Sequence, residues 1–266
     1  MAHHLAESYN CHVQIVYLID KLQRLDRPLE INGLKDHCQH DISIVQSKFW
    51  SLALRTVDKL DSRKLTRKIN LSKKLRIKSF DTSYGFKIEN KKKPRFVRGY
   101  FQSYELVSEQ RSIVYSELSN HFGQVAPINF AFSSYCVLHI RRGDTINEGI
   151  GILSINHYAT HLIREKMLII CTDDESIVKK ITDRFADATV LTPRESSTWQ
   201  VLKIMANAEA LVMANSSLSW WGGWFMLESN RKKVVFPTPW RPYDLQITEN
   251  LILNNARIVE SMFEER

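Results

Sequence analysis

The 266 residues suffice for one large domain or two small ones, and the 44% apolar share sets the chain apart from disordered proteins. Its apolar runs are short, residues 16–19 being typical, so none reaches bilayer-spanning length. A net charge of +8 is concentrated in one stretch rather than spread.

That stretch runs from Arg63 to Arg98. It holds Arg63, Lys64, Arg67, Lys68, Lys73, Lys74, Arg76, Lys78, Lys91, Lys92, Lys93 and Arg95, with Asp81 and Glu89 almost alone against them. It reads either as a solvated basic face or as an attractor for an anionic membrane surface, acidic glycan or nucleic acid. No RNP, KH, zinc-finger or helix-turn-helix pattern accompanies it, so nucleic acid is not an expected partner. Residues 1–8 have neither the basic start nor the apolar centre of a signal peptide. Cys11, Cys38, Cys136 and Cys171 show no paired spacing, which points to a reducing compartment.

Residues 2–8 read as the end of a helix, and residues 12–18, rich in β-branched side chains, as a strand. Residues 20–93 are weakly patterned. Helical spacing returns over 104–122, where Leu106, Ile113, Val114 and Leu118 share a face. From there the text alternates: strands at 135–140, 167–171, 188–191, 210–213 and 233–236, and helices at 157–165, 174–185, 196–206 and 216–227. Such alternation with short connections predicts βαβ units and a parallel sheet covered by helices. Ligands of such sheets bind outside the carboxyl ends of the strands.

Three polar segments fall at those ends. His139-Ile140-Arg141-Arg142-Gly143-Asp144 leaves the first strand. Paired arginines suit phosphate oxygens, since guanidinium offers a rigid fork of donors and keeps its charge; a surface ion pair with Asp144 is the plainer reading. Gly143 permits a tight turn and close approach to a ligand. At Cys171-Thr172-Asp173-Asp174-Glu175, Thr172 or Asp173 can cap the next helix, the aspartates can bind Mg²⁺, or one carboxylate can accept the two adjacent donors of guanine. The third segment, Asn215-Ser216-Ser217-Leu218-Ser219-Trp220-Trp221-Gly222-Gly223-Trp224, begins a helix with more hydroxyls than a cap needs, which makes an anion site. Its tryptophans read as packing residues, with sugar stacking the alternative.

The sequence here resembles a known family. His139-x-Arg141-Arg142-x-Asp144 is similar to the signature shared by α-1,2-, α-1,6- and protein O-fucosyltransferases. Asn215 through Phe225 resembles the motif of the α-1,2-fucosyltransferases of glycosyltransferase family eleven. Gly99-Tyr-Phe-Gln-Ser-Tyr104, Leu168-Ile-Ile-Cys-Thr-Asp-Asp174, and Pro237 with Trp240 resemble further family segments, in family order over residues 98–243.

The resemblance implies an α/β fold of GT-B type, with two Rossmann-like halves whose parallel sheets are flanked by helices. Residues 1–132 would form an acceptor-side domain and residues 133–266 the domain that binds GDP-fucose. It implies metal-independent, inverting transfer of L-fucose from GDP-β-L-fucose to a galactose 2-hydroxyl on a glycan acceptor. Carried over, Arg141 or Arg142 grips the diphosphate, with Arg142 favoured because it lies nearer the strand's carboxyl end. His139 and Asp173 or Asp174 face guanosine, while Asn215, Ser216, Ser217 and Ser219 line the phosphate end. Asp144 is the first candidate for the base and Glu148 the second, although neighbouring arginines lower a carboxyl pKa. The family opens with a Gly-rich turn, and Met1 falls just past its expected position. Two expectations follow: an active transferase, or a homologue that binds GDP-sugar or glycan without turnover. The expected setting is cytoplasmic or peripheral at a membrane in a bacterium, the basic stretch making the contact, or Golgi membrane in a eukaryote.

Overall fold

Six strands in the second half of the chain pair as one all-parallel sheet. The computed structural model describes residues 13–17, 42–46, 77–79, 96–98 and 103–265, except 144, 149–150, 164–166, 232 and 243–244. The helix read at 2–8, Cys11, Cys38, Asp144 and most of the basic stretch lie outside the described residues.

The chain divides into two units, Met1–His121 and Phe122–Arg266. In the first, β1 (Val13–Tyr17) pairs in parallel with β2 (Ile42–Gln46), and β3 (Ile77–Ser79) with β4 (Phe96–Arg98). The helix expected over 104–122 is interrupted at Gln110, giving α1 (Tyr104–Glu109), capped by Ser103, and α2 (Arg111–Gln124), which ends in the second unit. Leu106 and Leu118 of the expected apolar face are buried, whereas Ile113 and Val114 are half-buried.

The second unit follows in chain order: β5 (Tyr135–Ile140), α3 (Thr145–Glu148), α4 (Ile155–His161), β6 (Met167–Thr172), α5 (Val178–Arg184), β7 (Thr189–Leu191), α6 (Thr198–Asn207), β8 (Ala210–Val212), α7 (Ser217–Glu228), β9 (Lys233–Thr238), α8 (Leu245–Leu251) and β10 (Arg257–Glu260). The start of α6 explains itself locally. Ser197 accepts from the Gln200 amide and the Gln200 side chain accepts from Ser197 N–H, so two of the donors at the helix start are satisfied reciprocally.

Sheet order is β10-β9-β8-β5-β6-β7. The chain lays β6 and β7 on one side of β5, then returns to place β8, β9 and β10 on the other. This is the doubly wound order of dinucleotide-binding folds, and its direction reverses between β5 and β8. Strands in such a sheet are covered on both faces and are apolar throughout. Val137, Leu138, Ile140, Ile169, Ile170 and Leu211 accordingly have no measurable exposure. Each contributes about 1.5–3 kcal/mol of burial relative to an exposed side chain. On α7, Trp224 and Met226 are buried, and Gly222 faces α6 so closely that a Cβ would come within 2.8 Å of Met205 Cβ. No helix among the described residues is long and apolar enough to cross a membrane.

Candidate functional site

The backbone leaves β5 at Ile140 and turns through Arg141, Arg142 and Gly143. Asp173, at the end of β6, holds that turn. Its Oδ1 accepts the N–H groups of Arg142 at 2.8 Å and Gly143 at 3.1 Å, and its Oδ2 accepts from Arg141 Nη1. A Cβ on Gly143 would strike this carboxylate. The missing Cβ at Gly143 leaves room for the close approach of Asp173.

Arg142 is gripped twice. Its Nε donates to Asp174 Oδ2 at 3.1 Å, and its Nη1 donates to Glu264 Oε1, beyond β10. Burial would lower its pKa, but Glu264 and then Asp174 outweigh that and keep the guanidinium firmly charged. Asp174 is also the cap of the short 3₁₀ turn before α5, accepting from Ser176 N–H at 2.9 Å and Ser176 Oγ at 2.6 Å. Burial opposes its ionisation, yet the Ser176 bonds and Arg142 hold its carboxyl below the usual range. The cap is thus Asp174 rather than Thr172 or Asp173, because Asp173 is committed to the arginine turn. Both aspartates expected at guanosine point into ion pairs with the adjoining turn. Among the described residues, no cluster of three His, Cys, Asp or Glu side chains could hold a metal ion.

The end of β8 meets this turn from the other side. Ser219 Oγ lies 2.7 Å from His139 Nδ1 and accepts from Ala214 N–H at 2.9 Å. His139 and Ser219 are both buried, beneath the carboxyl ends of β5 and β8 where doubly wound sheets place their ligand crevice. Burial, reinforced by Arg141 and opposed by Asp173, pushes the His139 pKa down from 6.5 to about 4, leaving the imidazole neutral at pH 7. Asn215 is also buried. Its amide donates to the carbonyls of Gly151 at 2.9 Å and Trp240 at 3.1 Å, fastening two loops beside the crevice.

Ser216 and Ser217 remain at the surface, half-buried and exposed respectively. Ser216 is the N-cap of α7 yet makes no side-chain capping bond, so the first backbone N–H groups of that helix are not covered by its hydroxyl. Trp220 and Trp224 are core residues, the Trp220 indole donating to Leu251 O at 2.7 Å; Trp221 is half-buried and edge-on to both.

The carboxyl ends of β5, β6 and β8 therefore bring together Arg141, Arg142, Asp173, Asp174, His139 and the serines. Asp144 lies outside the described residues, as does the side chain of Glu148. Two contributors escaped the sequence reading. Glu264 is 122 positions from Arg142 and has no local pattern to announce it. Tyr158, wholly buried in α4, hydrogen-bonds the Arg141 backbone, and burial drives its phenol pKa well above the usual value. Within this group two guanidinium ions meet three carboxylates. The carboxylates outnumber the guanidinium ions by one, so the cluster is net negative, and the donors best placed for an added anion are the start of α7 and its two surface serines. No protein-family model matches this sequence, and no curated protein is significantly similar to it.

Proposed function

We propose that the chain is an inverting α-1,2-fucosyltransferase that takes L-fucose from GDP-β-L-fucose, with its nucleotide site at the β5–β8 crevice. One observation carries the reading: the two motifs of the family resemblance, read 80 residues apart, are joined by the 2.7 Å His139–Ser219 contact at the reversal point of the sheet. That is where doubly wound sheets bind nucleotides. Arg141, with Ser216, Ser217 and the α7 N-terminus, is assigned to the diphosphate. Arg142 is assigned to holding the turn, since Asp174 and Glu264 grip its guanidinium at two nitrogens, while Arg141, itself paired with Asp173 through Nη1, would share that pairing with the diphosphate.

In the proposed reaction, the galactose 2-hydroxyl oxygen attacks the anomeric carbon of fucose from the face opposite GDP. The new C–O bond forms as the bond to the β-phosphate breaks, and GDP departs with the bonding pair. The hydroxyl proton passes to a base, for which Asp144 remains first candidate. Charge grows on the β-phosphate during the step, so fixed donors at the α7 start and Arg141 favour the transition state over the ground state. The same donors give diphosphate binding without a metal.

Calorimetry in excess EDTA tests the nucleotide site. GDP should bind, and UDP and CMP should not; affinity that disappears on chelation would assign the aspartates to a metal. Transfer of labelled fucose from GDP-fucose to galactose-terminated acceptors tests the reaction. A second reading, GDP-sugar or glycan binding without turnover, is favoured by the three carboxylates that outnumber the two arginines. GDP affinity with no fucose transfer would select it.

A further inference from the structure

We infer that Glu264 is a positioning residue of the nucleotide site, holding Arg142 and through it the turn that carries Arg141. The inference rests on the reading of the crevice as a diphosphate site, and it concerns a residue outside every motif discussed above.

The segment after β10 is stitched across the carboxyl edge of the sheet. Ser261 N–H donates to Thr238 O at 2.8 Å and its hydroxyl to Pro239 O at 2.7 Å. Met262 O accepts from Ser154 N–H at 2.7 Å, Phe263 bridges Leu153, and Glu264 N–H donates to Ile152 O at 2.8 Å. Four consecutive residues are thereby fixed by backbone contacts to the loop before α4 or to the end of β9. The carboxylate of Glu264 consequently arrives at Arg142 Nη1 from a tethered backbone. Its side chain is 28% exposed against 14% for Arg142, so the pair sits at the rim with the guanidinium inward.

Asp174 holds the same guanidinium at Nε from the carboxyl end of β6. Two anchors on different nitrogens of a planar group fix its plane as well as its position. The backbone carbonyl of Arg142 in turn accepts from Thr145 Oγ1 at 2.7 Å and from Ile146 N–H at 3.0 Å, which ties the turn to α3. Removing the Glu264 charge frees one side of this arrangement without touching Arg141, Ser216 or Ser217.

The test compares the intact chain with Glu264→Gln, which keeps the shape of the side chain and removes its charge. In the intact chain, the Arg142 Nη1–H resonance should be shifted and slow to exchange with solvent; in E264Q it should move to ordinary, fast-exchanging behaviour, while the Nε–H, still held by Asp174 Oδ2, keeps its slow exchange. GDP and inorganic pyrophosphate should then bind E264Q about tenfold more weakly, while guanosine affinity stays unchanged, because only the phosphate side of the site loosens. Arg142→Lys combined with E264Q should lose little beyond R142K alone, which a general loss of fold would not produce. An unchanged Arg142 Nη1–H resonance in E264Q overturns the inference. So does an altered resonance with GDP and pyrophosphate affinities intact. An intact chain that binds neither GDP nor pyrophosphate overturns the reading of the site itself, together with the positioning role that depends on it.

Discussion

Ser219 Oγ stands between the imidazole of His139 and the amide of Ala214, 2.7 and 2.9 Å away, and so ties the end of β5 to the start of α7. All of this is buried, and neither the ring nitrogen nor the amide meets water to replace a lost partner. Ser219→Ala should therefore cost about 1–3 kcal/mol, the penalty for leaving buried polar groups unpaired. Urea unfolding measures it: the midpoint should fall with the slope unchanged. A midpoint within error of the parent would show that the contact contributes nothing.

Acid should weaken the fold through two histidines. Burial comes first in pushing both His139 and His157 from 6.5 to about 4. His161 adds to the effect at His157, whose ring lies 4.9 Å from it. The unfolded chain takes up these protons near pH 6.5 and the folded chain only near pH 4, so stability is lost as pH falls between those values. The loss approaches about 1.4 kcal/mol per pH unit for each histidine. Thermal melts across that interval should slope downward toward acid, and His157→Gln should flatten the slope. A parent slope retained in full by His157→Gln would assign the effect elsewhere.

The two arginines should respond differently to lysine. Arg142→Lys breaks the double grip of Asp174 and Glu264 and should lower stability by about 1–3 kcal/mol. Arg141→Lys keeps the charge but loses the fork, and should reduce turnover per KM by about 100-fold with a smaller change in melting temperature. Equal and mild kinetic effects at both positions would remove the diphosphate assignment.

Glycines 143 and 123 give opposite expectations for one substitution. Gly143→Ala drives a methyl group into Asp173 Oδ2, the oxygen that accepts from Arg141 Nη1, so the carboxylate must shift away from that partner; a loss of about 1–3 kcal/mol is expected. Gly123 has nothing within 4 Å of its would-be Cβ and lies in α2, so Gly123→Ala should gain about 0.5–1 kcal/mol. Denaturation midpoints of the two variants decide both. A neutral Gly143→Ala would mean that Asp173 can shift at no cost.

Much of the second unit was legible because β-branched and apolar runs such as Val137–Leu138 and Ile169–Ile170 alternate with helical spacing, and a parallel sheet needs both. The strand order was not. Nothing in the run at 210–213 says that it lies beside β5 instead of β7. β10 escaped notice because Val259 alone on it is buried, the rest of an edge strand facing outward. The four-residue α3 is too short to show a period. At the site, the residue types were readable but their duties were not. Asp173 looks like a cap or a ligand group, and only its place opposite Gly143 reveals that it braces a turn.

The return of the chain from β7 to β8 also sets an order of events in synthesis. β5 emerges early, yet its partner on one side is β8, and the contact that closes their crevice spans 80 residues. Until α6 and β8 have left the ribosome, β5 keeps one edge of unsatisfied amides and carbonyls, with Val137 and Leu138 beside it. A release of the nascent chain after β7 would yield a half-sheet with an open apolar edge, the form most prone to pair with another copy. Completion of β8 and the start of α7 is thus the step that removes an aggregating edge and, in the same movement, creates the crevice.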